Sequence, residues 1–429
     1  MEPQIFTLKN GLRVVTVDTK TFPSLTTLLL VNAGSRYENK ENNGVAHFFE
    51  HMAFKGSKKY PTALDISTLL DGLGSEHNAF TSKDHTGYWI KAPTKHFSTS
   101  VDILSEMILN PLLKEEEINR EKGVIIEEIN MYEDQPQYKV WDLFEGLLYP
   151  GNPLGYDTTG TKETVGKFSR QTFLDYMNIF YNPKNSILII AGGFNQVQSS
   201  KFKVQSYLEI INEKFGKWTG KEKNNFIKFN EKQIKPETLI YPKKTEQAHL
   251  VLGFKGLNTN DPNRYVQTVL MAILGGGMSS RLFYEVRERR GLCYYIQSGA
   301  EAFDDTGYVF TRAGLNINVK KINEAIQVIL GEHHKIAESK FEAKELVKAK
   351  EMIKGRLILS FEDSNNLASF IGKKLMFEEK LITPKEVIKK IDEVTKNQVV
   401  ELANKLFQKT KFNLSIIGPF EKNNFENLL

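Results

Sequence analysis

The sequence predicts an α+β protein of two duplicated domains, each a mostly antiparallel sheet packed with helices. Two observations carry this. At 429 residues the chain exceeds the roughly 100–200 residues over which one hydrophobic core usually grows. In both halves, strand-like segments give way to helical ones, then to strands, then to helices again, the order of an α+β unit used twice. A composition of 40% hydrophobic and 25% charged residues is that of an ordinary globular protein and sets aside disordered, collagen-like and coiled-coil classes.

The elements follow in order. Residues 5–17 alternate like two strands broken by the Asn10-Gly11 turn signal, and Thr26 to Val31 is a β-branched and leucine-rich run, so a hairpin on a sheet is expected. Gly44 to Phe54 is apolar nearly all round, as in a helix sunk in a core. Thr62 and Asp65 make a capping box after Pro61 and open a helix running into Gly72 and Gly74. The stretch EHNAFTSKDHTGYWIKAP reads as a second hairpin turning at Ser82-Lys83-Asp84. Helical periodicity covers 97–109, 115–134 and 136–149, and 186–194 reads as a buried strand ended by glycines.

Beyond residue 214 the composition shifts to Lys, Asn and Glu with Gly216, Gly220 and Pro236 as breakers, which marks a linker. We therefore expect an N-terminal domain over 1–215, a linker over 216–237 and a C-terminal pseudo-repeat over 238–429. Within the latter, strands are expected at 248–255 and 293–314, and helices at 262–274, 280–289, 320–335 and 340–357. Gly275, Gly276 and Gly277 do not form a phosphate loop, because no G-x-x-x-x-G-K-[ST] accompanies them. They suit a tight turn between helices.

Lys plus Arg total 57 against 52 Asp plus Glu, a surplus too dilute for the basic stripe of a nucleic-acid binder. No apolar run of about 18 residues is present, so no spanning helix is expected and no membrane partner. The start lacks the pattern of a secretory signal. A single cysteine, Cys293, cannot form an internal disulfide and favours a reducing compartment. A cytoplasmic protein is expected.

The sharpest local signal is His47-Phe48-Phe49-Glu50-His51. At about 100° per residue, His47, Glu50 and His51 project into one sector of an otherwise apolar helix. Polar groups buried there need a partner, and two imidazoles one turn apart are spaced to grip one Zn²⁺. The order H-x-x-E-H is the inverzincin signature. Chance alone would produce such a pentapeptide about 0.02 times in this composition. The bland alternative is a pair of core histidines bonded to backbone.

A catalytic zinc takes a third protein ligand. In NREKGVIIEEINMYED, Glu121 and Glu128 are seven apart and nearly in phase, on one stripe with Val124, Ile125 and Tyr132, whereas Glu127 turns toward solvent. Glu128 is therefore the expected third ligand. Glu121 either orients a histidine or forms a partly buried salt bridge. His77 and His85 compete as ligands but sit in strand or turn without an acid at metal spacing.

With these motifs in place the chain resembles the zinc endopeptidase family of pitrilysin, insulin-degrading enzyme and the mitochondrial processing peptidase. The resemblance extends through NGLRVV, GSRYE, EHMAFKGS, NAFTSKDHTGY, YNPKNSILIIAGGF and LGGGMSSRLFYEVRERRGLCYYI, and the length is similar to the processing-peptidase branch and its bacterial relatives. It implies one zinc per chain on His47, His51 and Glu128, and Glu50 as general base toward water. It also implies Arg287 and Tyr294 as donors to the developing oxyanion, and Asn78, Ala79, Phe80 and Thr81 as a strand that binds peptide by its backbone edge. A half-shell that closes a chamber on dimerisation is implied too, most simply as a homodimer, or as a heterodimer with a related metal-free subunit. The other reading is a non-catalytic peptide-binding or scaffold subunit, as some members are; the intact set of ligands and base separates the two.

Overall fold

The computed structural model describes residues 2–20, 22–194, 200–220, 225–378, 381–421 and 425. They form two compact units, each with its own sheet. The fold is α+β.

The first unit holds strands β1 (Gln4–Thr7), β2 (Arg13–Asp18), β3 (Ser24–Val31), β4 (Glu76–Thr81), β5 (Thr86–Pro93) and β6 (Ser186–Gly192). Their order is β1-β2-β6-β3-β5-β4, so β4 is an edge. Only β2 and β6 run parallel. The turn at Asn10-Gly11 works as its residue types demand: Gly11 sits at φ +93°, where a side chain would be strained, and Asn10 ties the loop to the carbonyls of Phe215 and Trp218 at 2.7 and 3.1 Å.

Both faces of this sheet are covered, which explains why β3 and β6 are apolar without alternation. One face packs on the helices Val45–Ala53, Phe97–Leu109 and Arg170–Phe180. The other carries Val15, Val17, Leu28, Leu30 and Ile189 against Leu367, Ala368 and Ile371 of the helix Ser364–Phe377. Gly372 lets that helix approach closely, since a Cβ there would stand 2.5 Å from Leu30 Cδ1 and 2.8 Å from Ile189 Cδ1.

The second unit holds β7 (Glu237–Pro242), β8 (Ala248–Gly256), β9 (Cys293–Ala302), β10 (Gly307–Leu315) and β11 (Asn413–Gly418), ordered β7-β11-β8-β10-β9. Its one parallel pair is β7 with β11. Set beside β2-β6-β3-β5-β4, this is the same order by appearance with the parallel pair in the same place, so the internal duplication is visible in the strand pairing. The helix Pro136–Leu148 packs Val140, Phe144 and Leu148 on Val251, Tyr308 and Ile417, and buried Tyr308 donates to Glu145 Oε1 at 2.8 Å.

The units are not two consecutive blocks of chain. The first comprises Met1–Ile129, Tyr156–Ile227 and Ser360–Thr383; the second comprises Asn130–Gly155, Lys228–Leu359 and Pro384–Leu429. Within the stretch expected as linker, Phe226 packs on Tyr37 in the first unit, with ring centroids 5.8 Å apart, and Phe229 on Tyr149 in the second at 4.9 Å. Local structure departs from expectation over 280–289. Phe283–Glu288 winds as a π-turn, with Arg289 N donating to Tyr284 O; six residues are too few for periodicity to separate its pitch from that of an α-helix. Among the described residues no helix is long and apolar enough to cross a membrane.

Candidate metal centre

The helix Val45–Ala53 begins at Gly44, whose φ of +95° and tight packing exclude a side chain: a Cβ would lie 2.7 Å from Thr159 O. Glycine cannot cap the helix with a side chain, and Glu38 does so from outside. Its carboxylate accepts from Gly44 N and Ala46 N, each at 2.8 Å, and from Asn43 Nδ2 at 3.0 Å. An acid at a helix N-terminus meets both the free N–H groups and the helix dipole. Burial pushes the Glu38 pKa up to about 7 against these donors. Because the folded value lies above the unfolded 4.5, the stability this group contributes is full below about 4.5 and is lost as pH rises through about 7. Truncating it strands three buried donors, so Glu38→Ala is expected to cost about 2–4 kcal/mol, read as a lowered urea midpoint with an unchanged slope.

On this helix Val45, Ala46, Phe48, Phe49 and Met52 are buried, while His47, Glu50 and His51 share the partly open side. The helix Glu115–Asp134 faces it with Ile118, Ile125 and Ile129 buried. Glu121 and Glu128 share its inner side and Glu127 is exposed, but Val124, expected on the same stripe, is 49% exposed.

Three donors converge. His47 Nε2 and His51 Nε2 each lie 3.6 Å from Glu128 Oε2, and one ligand atom from each of the three residues falls within 4.8 Å of the others. Bonds of about 2.0–2.2 Å to a tetrahedral zinc would set its ligands about 3.4 Å apart, so the donors are spaced for that ion. His51 Nδ1 lies 2.8 Å from Glu121 Oε1, and Lys55 Nζ holds the other oxygen of Glu121 at 2.6 Å. A carboxylate on Nδ1 fixes the proton there and leaves the Nε2 lone pair facing Glu128. Glu121 thus contacts both His51 and Lys55.

The charges follow the geometry. Burial lowers the His47 pKa to about 4, with repulsion from His51 adding to it, so this imidazole is neutral and able to ligate. Burial also opposes charge on His51, but the bond to Glu121 and the nearby carboxylates outweigh it and raise its pKa. Glu121 is held below the usual carboxylate range: burial alone would raise it, but His51 and Lys55 more than compensate. Glu50 is raised by burial, against the hydroxyl of Thr81, which donates to its Oε2 at 2.5 Å.

Other sequence candidates fall elsewhere. His85 is buried against Ser82, with Nδ1 2.8 Å from Oγ, and His77 packs toward the Phe54 ring with centroids 6.4 Å apart. The one metal-capable cluster among the described residues excludes both. Asn78, Ala79, Phe80 and Thr81 lie on β4, which among the described residues pairs with β5 alone. In the second unit Arg287 and Tyr294 are neighbours, the guanidinium 5.8 Å from the centre of the exposed Tyr294 ring. Sequence reasoning missed the capping by Glu38, for which only the acid in GSRYE was a cue, and the bond from Thr81 to Glu50, for which spacing offers none.

A two-histidine, one-carboxylate cluster with an adjacent acid on an α+β scaffold is compatible with the metal site of a metallopeptidase. The chain belongs to the M16 insulinase family of peptidases. The family model for insulinase (peptidase family M16) matches residues 13–162, and that for the peptidase M16 inactive domain matches residues 167–353. The uncharacterized zinc protease YmxG of Bacillus subtilis is 35% identical over 96% of this chain and 98% of its own. An uncharacterized zinc protease of Streptomyces coelicolor is 32% identical over 97% of this chain and 89% of its own. The crystal structure of a protease from Helicobacter pylori superposes with a TM-score of 0.89 over 97% of this chain and 100% of that one, at 24% identity, a likeness of fold.

Proposed function

We propose that the protein is a zinc-dependent endopeptidase of short or unfolded peptides, with one zinc per chain on His47, His51 and Glu128 and with Glu50 as general base. The observation that carries this is the pair of 3.6 Å approaches of both imidazoles to one carboxylate oxygen. Zinc, when bound, supplies Lewis-acid polarisation of a peptide carbonyl and acidifies water.

The protein's own residues do the rest. Glu50 precedes His51 on the same helical face, and Thr81 steadies its carboxylate. Its raised pKa suits a group that takes a proton from water and returns it to the leaving amine. Glu121 holds His51 in the ligating tautomer. The open edge of β4 at Asn78–Thr81 offers backbone groups to an extended peptide, a grip indifferent to side chains. Arg287 and Tyr294 serve as donors to the developing oxyanion. In domain terms, residues 1–215 carry the metal and 238–429 contribute this pair. The family resemblance supports action as a homodimer, and the lone cysteine supports residence in the cytoplasm.

Every ligand position and the base are present, so no observation favours a non-catalytic scaffold. Chelation tests the reading: stripping the metal is expected to remove turnover of an unstructured peptide, and one equivalent of zinc to restore it. Full turnover in the stripped protein would overturn it.

A further inference from the structure

Asn43 and Gly44 form one of two Asn-Gly steps in the chain, the other being Asn10 and Gly11. Such a step is open to a reaction within its own backbone. The glycine nitrogen gives up its proton and attacks the side-chain carbonyl carbon of the asparagine, ammonia leaves, and a succinimide ring forms. Water then opens the ring to aspartate or isoaspartate. Glycine favours the attack because it has no Cβ to shield its nitrogen or restrict its torsions, and asparagine counts among the thermolabile residues.

At Asn43 one carboxylate holds both reacting groups. Glu38 Oε2 accepts from Gly44 N at 2.8 Å and from Asn43 Nδ2 at 3.0 Å, and Asn43 Nδ2 also donates to Asp157 O at 2.9 Å. An acceptor oxygen on the Gly44 N–H opposes loss of its proton, since the bare nitrogen would face lone pairs. The two bonds on Nδ2 fix the amide, and Thr164 Oγ1 ties the Asn43 carbonyl at 2.7 Å. Asn43 is 5% and Glu38 2% exposed. Attack therefore requires this corner to open first.

The products do not fit the closed corner. Aspartate puts a carboxylate where an amide now donates to Glu38 and to Asp157 O. Isoaspartate adds a methylene to the backbone just ahead of Gly44, where even a Cβ would stand 2.7 Å from Thr159 O and 2.8 Å from Gly160 Cα. The helix that starts here carries His47, Glu50 and His51.

We propose that Asn43-Gly44 is a modification site, a deamidation step held shut by Glu38, whose conversion to aspartate or isoaspartate loosens the start of this helix. The inference stands on this corner of the first unit and is independent of the peptidase assignment.

Peptide mapping by mass spectrometry, after incubation of the full chain at mildly alkaline pH, tests it. In urea that unfolds the chain, both Asn-Gly steps are expected to deamidate at comparable rates. In the folded native chain Asn43 is expected to react at least about a hundredfold more slowly than in urea. Glu38→Ala removes the acceptor of three buried N–H groups and speeds Asn43 by on the order of a hundredfold. Asn10, whose amide is held by Phe215 O and Trp218 O, stays within about threefold of its native rate in that variant. Asn43→Asp, which installs the aspartate product, unfolds at a lower urea midpoint than the native chain. Deamidation of Asn43 in the folded native chain as fast as in urea would overturn the proposal. So would an unchanged Asn43 rate in Glu38→Ala, an equal acceleration at Asn10, or a native midpoint in Asn43→Asp.

Discussion

Glu50→Gln is expected to lower turnover of an unstructured peptide by about 10²–10⁴-fold, the usual contribution of a positioned general base, while zinc content stays native. The amide has nearly the shape of the carboxylate and keeps an oxygen for the Thr81 hydroxyl, so the helix and its two histidines are undisturbed. What is lost is the ability to accept a proton. Because burial already opposes the charge on Glu50, the amide is expected to leave the melting temperature unchanged or slightly raised. Turnover within a few-fold of native, at equal zinc content, would remove Glu50 from the mechanism.

Glu128→Ala is expected to abolish stable zinc binding. Among the described residues it deletes the carboxylate that approaches both imidazoles, and two histidines alone do not complete a zinc site. The readout is thermal. A ligand that binds only the folded state stabilises it by about 4 kcal/mol at a thousandfold excess over its dissociation constant, so added zinc raises the melting temperature of the metal-free native chain. In the variant that increment disappears. Since Glu128 is half-buried, the metal-free variant itself folds with little loss. A zinc-dependent increment equal to the native one would contradict the ligand assignment.

The site was legible in the sequence where its geometry is local. His47, Glu50 and His51 share one helical face because the chain can hardly place them otherwise, and Glu121 and Glu128 share a side of their helix by the same arithmetic. That these two helices bring Glu128 Oε2 to 3.6 Å from each imidazole is tertiary, and what pointed to it was the chemical need for a third ligand together with the family resemblance. Val124 shows the limit of phase: seven-residue spacing aligns it with the stripe, yet packing leaves it in solvent.

The less legible parts depend on distant partners. Glu38 caps a helix from across a turn, so no Ser, Thr, Asp or Asn stands at the cap position to announce it. The hairpins of the first sheet are readable, but the insertion of β6 between β2 and β3 is not, and the sheet's second face is covered by Leu367 and Ile371, more than a hundred residues beyond any block that sequence reading would assign to that domain. The same exchange places Asn130–Gly155 with the second unit. Hydrophobic pattern says that a helix buries a face; it does not say against which sheet.

Anomalous diffraction at the zinc edge, from crystals of the native chain grown with one equivalent of zinc, addresses the central claim most directly. A single peak is expected at about 2.0–2.2 Å from His47 Nε2, His51 Nε2 and a carboxylate oxygen of Glu128. A peak at another site, or one bound by the histidines with Glu128 turned away, would contradict it.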